Sequence, residues 1–174
     1  MTSMLLMQAP EHFHYGIAGG GVYDWVLYDS HYTERYMDTP QANPEGYAAA
    51  KVLNYVDGYP TEYIAESVRV SGAYPYAPAE RAAQTQQDDS GCHPERVLEF
   101  MQRRVEPVML KLTHGTGDDN VHHQNTLQLL DALHKAGKKF DFMIYPDGMH
   151  GYRGYQGEHF QNANNEFWLK YLCR

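Results

Sequence analysis

The 174 residues read as an α/β domain built on a mostly parallel sheet with flanking helices. Three observations predict it. Strand-like apolar runs at 14–18, 107–113 and 139–145 alternate with segments whose apolar residues recur at helical spacing, and that order demands crossover connections, which make parallel pairs. The length suits one domain at ~150 residues each. The composition, 43% hydrophobic and 21% charged, supplies enough apolar side chain for a sizeable core.

The elements follow in order. MTSMLLMQAP opens as a helix over 1–9 with no capping residue ahead of it and Pro10 to end it. A helix uncapped at residue one predicts a chain cut upstream. HYGIA at 14–18 is a short strand that runs into Gly19, Gly20 and Gly21, which permit a sharp turn or a close approach. Trp25, Tyr28, Tyr32 and Tyr36 then recur at the period of one helix face. Asn43 and Pro44 supply a cap and a first-turn proline for a helix through EGYAAAKVLNYV. From about 58 to 104 the chain turns rich in Pro, Gly, Tyr and small polar residues, a loop-rich insertion. It closes in a helix, HPERVLEFMQRR, where Val97, Leu98 and Met101 share a face and Glu99 can pair with Arg103. PVMLKLT at 107–113 is the second strand. Leu129, Ala132, Leu133 and Ala136 mark the next helix, which Gly137 caps. KFDFMIY supplies the third strand, and Phe160, Ala163, Phe167 and Tyr171 set the face of a C-terminal helix.

Composition excludes several function classes. With 14 basic and 22 acidic residues the net charge is -8, so the attraction to a polyanion that carries most nucleic-acid affinity is missing and no nucleic-acid partner is expected. No apolar run approaches the ~20 residues that span a bilayer, so no membrane partner is expected, and the N-terminus lacks the basic start of a signal peptide. Cys92 and Cys173 fall in no metal or redox spacing. Fifteen tyrosines suit pocket walls, because the ring is apolar and its tip polar.

In a parallel sheet the functional groups gather beyond the carboxyl ends of strands. HGTGDDN follows the second strand and PDGMHGYRG follows the third, which places Asp118 and His150 on neighbouring loops if the strands are neighbours. A buried carboxylate that accepts from an imidazole fixes its tautomer and stabilises the imidazolium formed when it takes a proton. The order, Asp before His, is that of the α/β-hydrolases.

The strings VMLKLTHGTGDDNVHHQNTLQLLDALHKAGKKFDFMIYPDGMHG, YDSHYTERYM and NPEGY resemble the C-terminal part of the catalytic domain of the prolyl oligopeptidase family, in its dipeptidyl peptidase IV-like branch. The resemblance covers 1 to about 57 and 105 to 174. It implies a partial α/β-hydrolase fold, with 1–174 a single truncated domain carrying the insertion at about 58–104. It makes Asp118 the triad acid and His150 the triad base. It also places Asn120 against a substrate carbonyl or amine and lets Trp25, Tyr28, Tyr32 and Val121 line a small pocket for proline or alanine. The implied partner is a peptide or small-molecule substrate, and the implied chemistry needs no cofactor.

The chain departs from the family where the nucleophile should be, since no Gly-x-Ser-x-Gly occurs in it. Ser3, Ser71, Ser90 and Cys92, which neighbours His93, are the other candidates, and each also reads as a helix, turn or cap residue. His114, Asp118, Asp119, His122 and His123 lie within ten residues, but in no zinc spacing, so no metal is expected. The resulting expectation is a serine-peptidase-type hydrolase that retains acid and base and is weak or inactive as a peptidase. A small-ester or lactone hydrolase and a non-catalytic oligomerising remnant or binding module are the alternatives. An unpaired strand edge at HYGIA and an exposed patch of Met4, Leu5, Leu6 and Met7 predict a homo-oligomer.

Overall fold

The computed structural model describes residues 1–60 and 108–173, which belong to one compact unit. The expected insertion lies outside the described residues apart from Gly58, Tyr59 and Pro60, as does the expected helix HPERVLEFMQRR. Three parallel strands, β1 (Tyr15–Gly19), β2 (Met109–Gly115) and β3 (Asp141–Tyr145), pair in the order β1-β2-β3. Ile17 faces Lys111 across one pair and Thr113 faces Met143 across the other. The α/β class expected from the alternation of elements is the one observed.

Every residue of β2 is buried, so its side chains must serve two cores. The pleat sends Leu110 and Leu112 to one face, where they meet helix α1 (Thr2–Gln8), a 3-10 helix at Val52–Gly58 and Leu129 and Leu133 of a later helix. Met109 turns to the other face and packs on Phe167 and Tyr171 of the C-terminal helix. Lys111 shares that second face, and its buried amine donates to the Ala163 carbonyl at 2.6 Å. Burial pulls the Lys111 amine down, against the nearby charges of Asp141 and Glu166. Tyr59, fully buried, ties the start of β2 in place: its hydroxyl accepts from the Leu110 N–H at 2.9 Å and faces the carbonyls of Val108 and Lys139.

Three expectations are corrected. Leu6 and Met7 are 1% and 3% exposed, not part of an open patch, because α1 packs across the Val52–Gly58 turn and β1. Trp25, Tyr28, Tyr32 and Tyr36 do not share one helix. Asp24 caps a 3-10 turn at Trp25–Leu27, the chain extends at Tyr28, and Asp29 caps a new helix, α2 (Ser30–Met37), accepting from the Tyr32 N–H at 2.7 Å. Two capping carboxylates five residues apart each open a segment of their own. Helix α3 (Pro44–Ala50), capped by Asn43, ends earlier than its apolar pattern implies. The Val52 N–H donates to the Tyr23 carbonyl at 2.9 Å, which takes it out of the helical ladder.

Helix α4 (Gln124–Lys135) crosses from β2 to β3 and is followed by Gly137 at φ +67°, a left-handed stop where glycine has no Cβ to clash. Helix α5 (Gly154–Leu172) closes the chain. No helix among the described residues is long and apolar enough to cross a membrane.

Candidate active site

The carboxyl ends of the three strands meet. Thr116 N–H donates to the Tyr145 carbonyl at 2.9 Å, Gly117 N–H to the Gly148 carbonyl at 3.0 Å, and Asp147 N–H to the Thr116 hydroxyl at 2.8 Å. These bonds fasten the loop after β3 onto the loop after β2. The packing there is backbone on backbone: a Cβ added at Gly115 would lie 2.0 Å from the Gly148 oxygen. From β1, Gly20 comes in at φ +54°, its N–H donating to the Thr113 carbonyl at 3.1 Å. A Cβ there would sit 3.1 Å from His150 Nδ1 and 3.3 Å from Asp118 Oδ2, so a larger residue would suffer both backbone strain and crowding against the pair.

That junction sets the geometry of Asp118 and His150. Asp118 Oδ2 lies 3.0 Å from His150 Nδ1, with the carboxylate side chain 1% exposed and the imidazole 46%. Asp118 Oδ1 accepts from the N–H groups of Asn120 at 3.0 Å and Val121 at 2.9 Å, an Asx turn that holds the carboxylate. Burial pushes this carboxyl up, but the hydrogen bonds from the Val121 N–H, His150 and the Asn120 N–H outweigh it and hold it below the usual carboxylate range. Because a carboxylate faces Nδ1, that nitrogen carries the hydrogen, and Nε2 keeps its lone pair. Among the described residues nothing hydrogen-bonds to His150 Nε2. A cavity of about 520 Å³ opens beside it, lined by Asp119, Asp147, Met149, His150, Arg153 and Gln156 among others.

Below the pair, Tyr152 donates from its hydroxyl to Thr113 Oγ1 at 3.3 Å. Burial raises the Tyr152 hydroxyl, the Thr113 bond lowers it, and the charge of Asp118 raises it further.

The predicted pocket residues fall into two groups. Trp25, Tyr28 and Tyr32 cluster although their backbone is broken: Trp25 meets Tyr28 edge-on at 5.9 Å and stacks on Tyr32 at 6.3 Å. The Tyr28 hydroxyl donates to Asn120 Oδ1 at 2.9 Å and so joins the aromatic cluster to the Asp118 loop. Val121 is buried, and its N–H and carbonyl are both engaged, with Asp118 and His114. Of the other nucleophile candidates, Ser3 is buried in α1, while Ser71, Ser90, Cys92 and His93 lie outside the described residues.

Three residues that sequence reasoning did not assign to the site support it. Asn125, fully buried in the first turn of α4, accepts on Oδ1 from the N–H groups of Tyr23 at 3.1 Å and Asp24 at 3.2 Å, which ties the segment leading to Trp25 onto the β2 side. Lys51 pairs with Asp24 at 2.7 Å. His114 touches Asp118 itself; its four-residue spacing from Asp118 is the signal that could have found it. Among the described residues no three His, Cys, Asp or Glu side chains converge as a metal site requires.

The profile of the prolyl oligopeptidase family matches residues 1–103 and 73–173. A Neurospora crassa protein named "Probable dipeptidyl-aminopeptidase B" is 36% identical over 166 residues, 94% of this chain and 12% of its own length. A protein of the same name from Coccidioides posadasii is 37% identical over 166 residues, again 94% of this chain and 12% of its own length. The crystal structure of Porphyromonas gingivalis dipeptidyl peptidase 4 superposes with a TM-score of 0.68 at 27% identity, covering 97% of this chain and 18% of that one. The chain thus spans about an eighth of the length of the curated relatives it matches. The parallel sheet and its helices are part of an α/β-hydrolase domain.

Proposed function

The chain belongs to the prolyl oligopeptidase family, and from that premise we propose that Asp118 and His150 are the acid and base of a serine-peptidase-type hydrolase site. The observation that carries the reading is the 3.0 Å contact between a nearly dry Asp118 carboxylate and a half-exposed His150 ring. Asp118 orients the imidazole and would stabilise the imidazolium; His150 Nε2 would take a proton from the attacking group and return it to the leaving group. Trp25, Tyr28 and Tyr32 would form an apolar wall for a small residue such as proline or alanine, and Asn120, set by the Tyr28 hydroxyl, would meet a polar group of the substrate. Residues 1–174 would act as one domain with the 58–104 segment inserted in it.

The nucleophile is not among the described residues that touch His150, and no Gly-x-Ser-x-Gly occurs in the 174 residues. The chain by itself should therefore leave Xaa-Pro amides intact, since an acid and base alone lack most of a triad's rate enhancement. A second reading draws on the exposure of His150 to the adjoining cavity: there the pair would activate water directly against an activated ester or lactone, which needs less activation than an amide. With p-nitrophenyl acetate, slow hydrolysis above the buffer rate is expected, and His150→Ala should abolish it. Unchanged turnover in that variant would place any activity elsewhere.

Self-association through the edge of β1 is also part of this proposal. Among the described residues β1 pairs on one side alone, with β2. A strand at the edge of a sheet favours pairing with a second chain.

A further inference from the structure

Lys111 breaks the apolar run of β2, yet the residue is only 6% exposed. Its partner across the parallel pair is Asp141 of β3, and the pleat sends Met143, two residues on, to the same face as Asp141. Over that face runs one stripe of α5, where Ala163, Glu166, Phe167 and Lys170 follow the spacing of a single helix side. Sheet face and helix stripe line a cavity of about 350 Å³. It shares no lining residue with the cavity beside His150.

The charges of this cleft are graded in depth. Lys111 is buried: its Nζ donates to the Ala163 carbonyl at 2.6 Å and lies 6.0 Å from the centre of the Phe167 ring. An ammonium carries three donors, and the Ala163 bond uses one. Among the described residues no carboxylate stands within ion-pair distance of it; Asp141 and Glu166 act from farther off, favouring the charge that burial opposes. Asp141 is half-buried, whereas Glu166 and Lys170 are exposed, with Lys170 Nζ over the Tyr171 ring at 4.9 Å. Met143, Ala163 and Phe167 supply the apolar wall.

A buried ammonium is stabilised best by an opposite charge that also accepts its hydrogens, which calls for a carboxylate on the ligand. A plain anion would face Asp141 and Glu166 as well, and a plain amine would face Lys111. A molecule with carboxylate and ammonium side by side answers both, and an apolar side chain answers Met143 and Phe167. The volume lies at the small end for ligand sites, which suits one residue rather than a peptide. We propose that the cleft between β2–β3 and α5 binds a free α-amino acid with an apolar side chain, its carboxylate on Lys111 and its ammonium toward Asp141 and Glu166.

The test uses the whole chain with ¹³C-methyl-labelled methionine. L-leucine should shift the Met143 methyl resonance saturably and leave that of Met149, beside His150, in place. Isocaproate, which lacks the ammonium, and isoamylamine, which lacks the carboxylate, should bind at least about ten-fold more weakly, the scale of one hydrogen bond to a charged group. Lys111→Met, which keeps the side chain apolar in length and place, should lower leucine affinity by at least about ten-fold as well. No saturable shift at Met143, a shift at Met149 instead, isocaproate or isoamylamine binding as tightly as leucine, or full affinity in folded Lys111→Met would each overturn the proposal. If that variant fails to fold, the three ligands on the unaltered chain decide. The inference does not rest on Asp118 and His150, and none of its readouts needs turnover.

Discussion

Asp118 keeps its charge in an almost dry place because three donors hold it, the Asn120 and Val121 N–H groups and His150, and that has a consequence for stability. Its native pKa lies below the ordinary 3.8, so between the two values the unfolded chain binds more protons than the native one. The contribution is fully present above the unfolded pKa and is lost as pH falls through the native one. Replacing Asp118 by Asn should then cost about 3 kcal/mol near neutral pH, the usual scale for breaking a buried charged network. Urea midpoints of the two proteins should draw together as pH drops below about 4. A gap of equal size at about pH 3 and about pH 7 would contradict this assignment of the charge. Asp118 and His150 were legible in the sequence because each follows a strand by a few residues within a specific string. His114 was read only as one of a group of metal-type side chains. That it is buried against the carboxylate depends on β2 being covered on both faces, which periodicity in seven residues cannot reveal.

At the scale of elements, the site is assembled by loops rather than by any one helix. Asn125 is the joint between the segment that leads into Trp25 and the start of α4, accepting from two backbone donors that have no other partner among the described residues. Asn125→Ala would leave the Tyr23 and Asp24 N–H groups unsatisfied in a buried place, at about 1–3 kcal/mol each. A loss of about 2–6 kcal/mol is expected from chemical unfolding, together with a change in Trp25 fluorescence in the folded state as its segment loosens. A loss under about 0.5 kcal/mol, the scatter of ordinary surface changes, would show that the segment is held by something else. The strands and the long helices were readable, since β2 is an apolar run and α4 repeats Leu129, Ala132, Leu133 and Ala136. The break after Leu27 was not. A spacing of 3, 4 and 4 among aromatic rings imitates a helix face, but Asp24 and Asp29 cap two separate segments, and the rings reassemble through contact across the break.

At the scale of the whole molecule, β2 is paired on both sides and β1, among the described strands, with β2. The α1 face expected to be sticky is spent inside: Leu6 and Met7 belong to the core. What remains beside β1 is a shallow groove of about 260 Å³ that includes Leu5, Phe13, Ile17 and Trp168. Edge pairing reinforced by these side chains should make the chain dimerise with rising concentration. Sedimentation showing only the 20.0 kDa monomer across the micromolar range would rule that out. The family could be read from the sequence because long specific strings carry it, whereas assembly depends on which faces other segments cover, and that is a property of the fold.

The central claim is that Asp118 holds His150 in the tautomer that frees Nε2 for proton transfer, and it can be measured directly at the ring. In ¹⁵N-histidine spectra at about pH 8, above the ordinary imidazole range, His150 should carry its proton on Nδ1, with a downfield Nδ1–H resonance slow to exchange. Asp118→Ala should abolish that resonance and return the ring to a mixture of tautomers. A His150 protonated on Nε2 in the unaltered chain, or an Nδ1–H resonance that survives the loss of Asp118, would contradict the account.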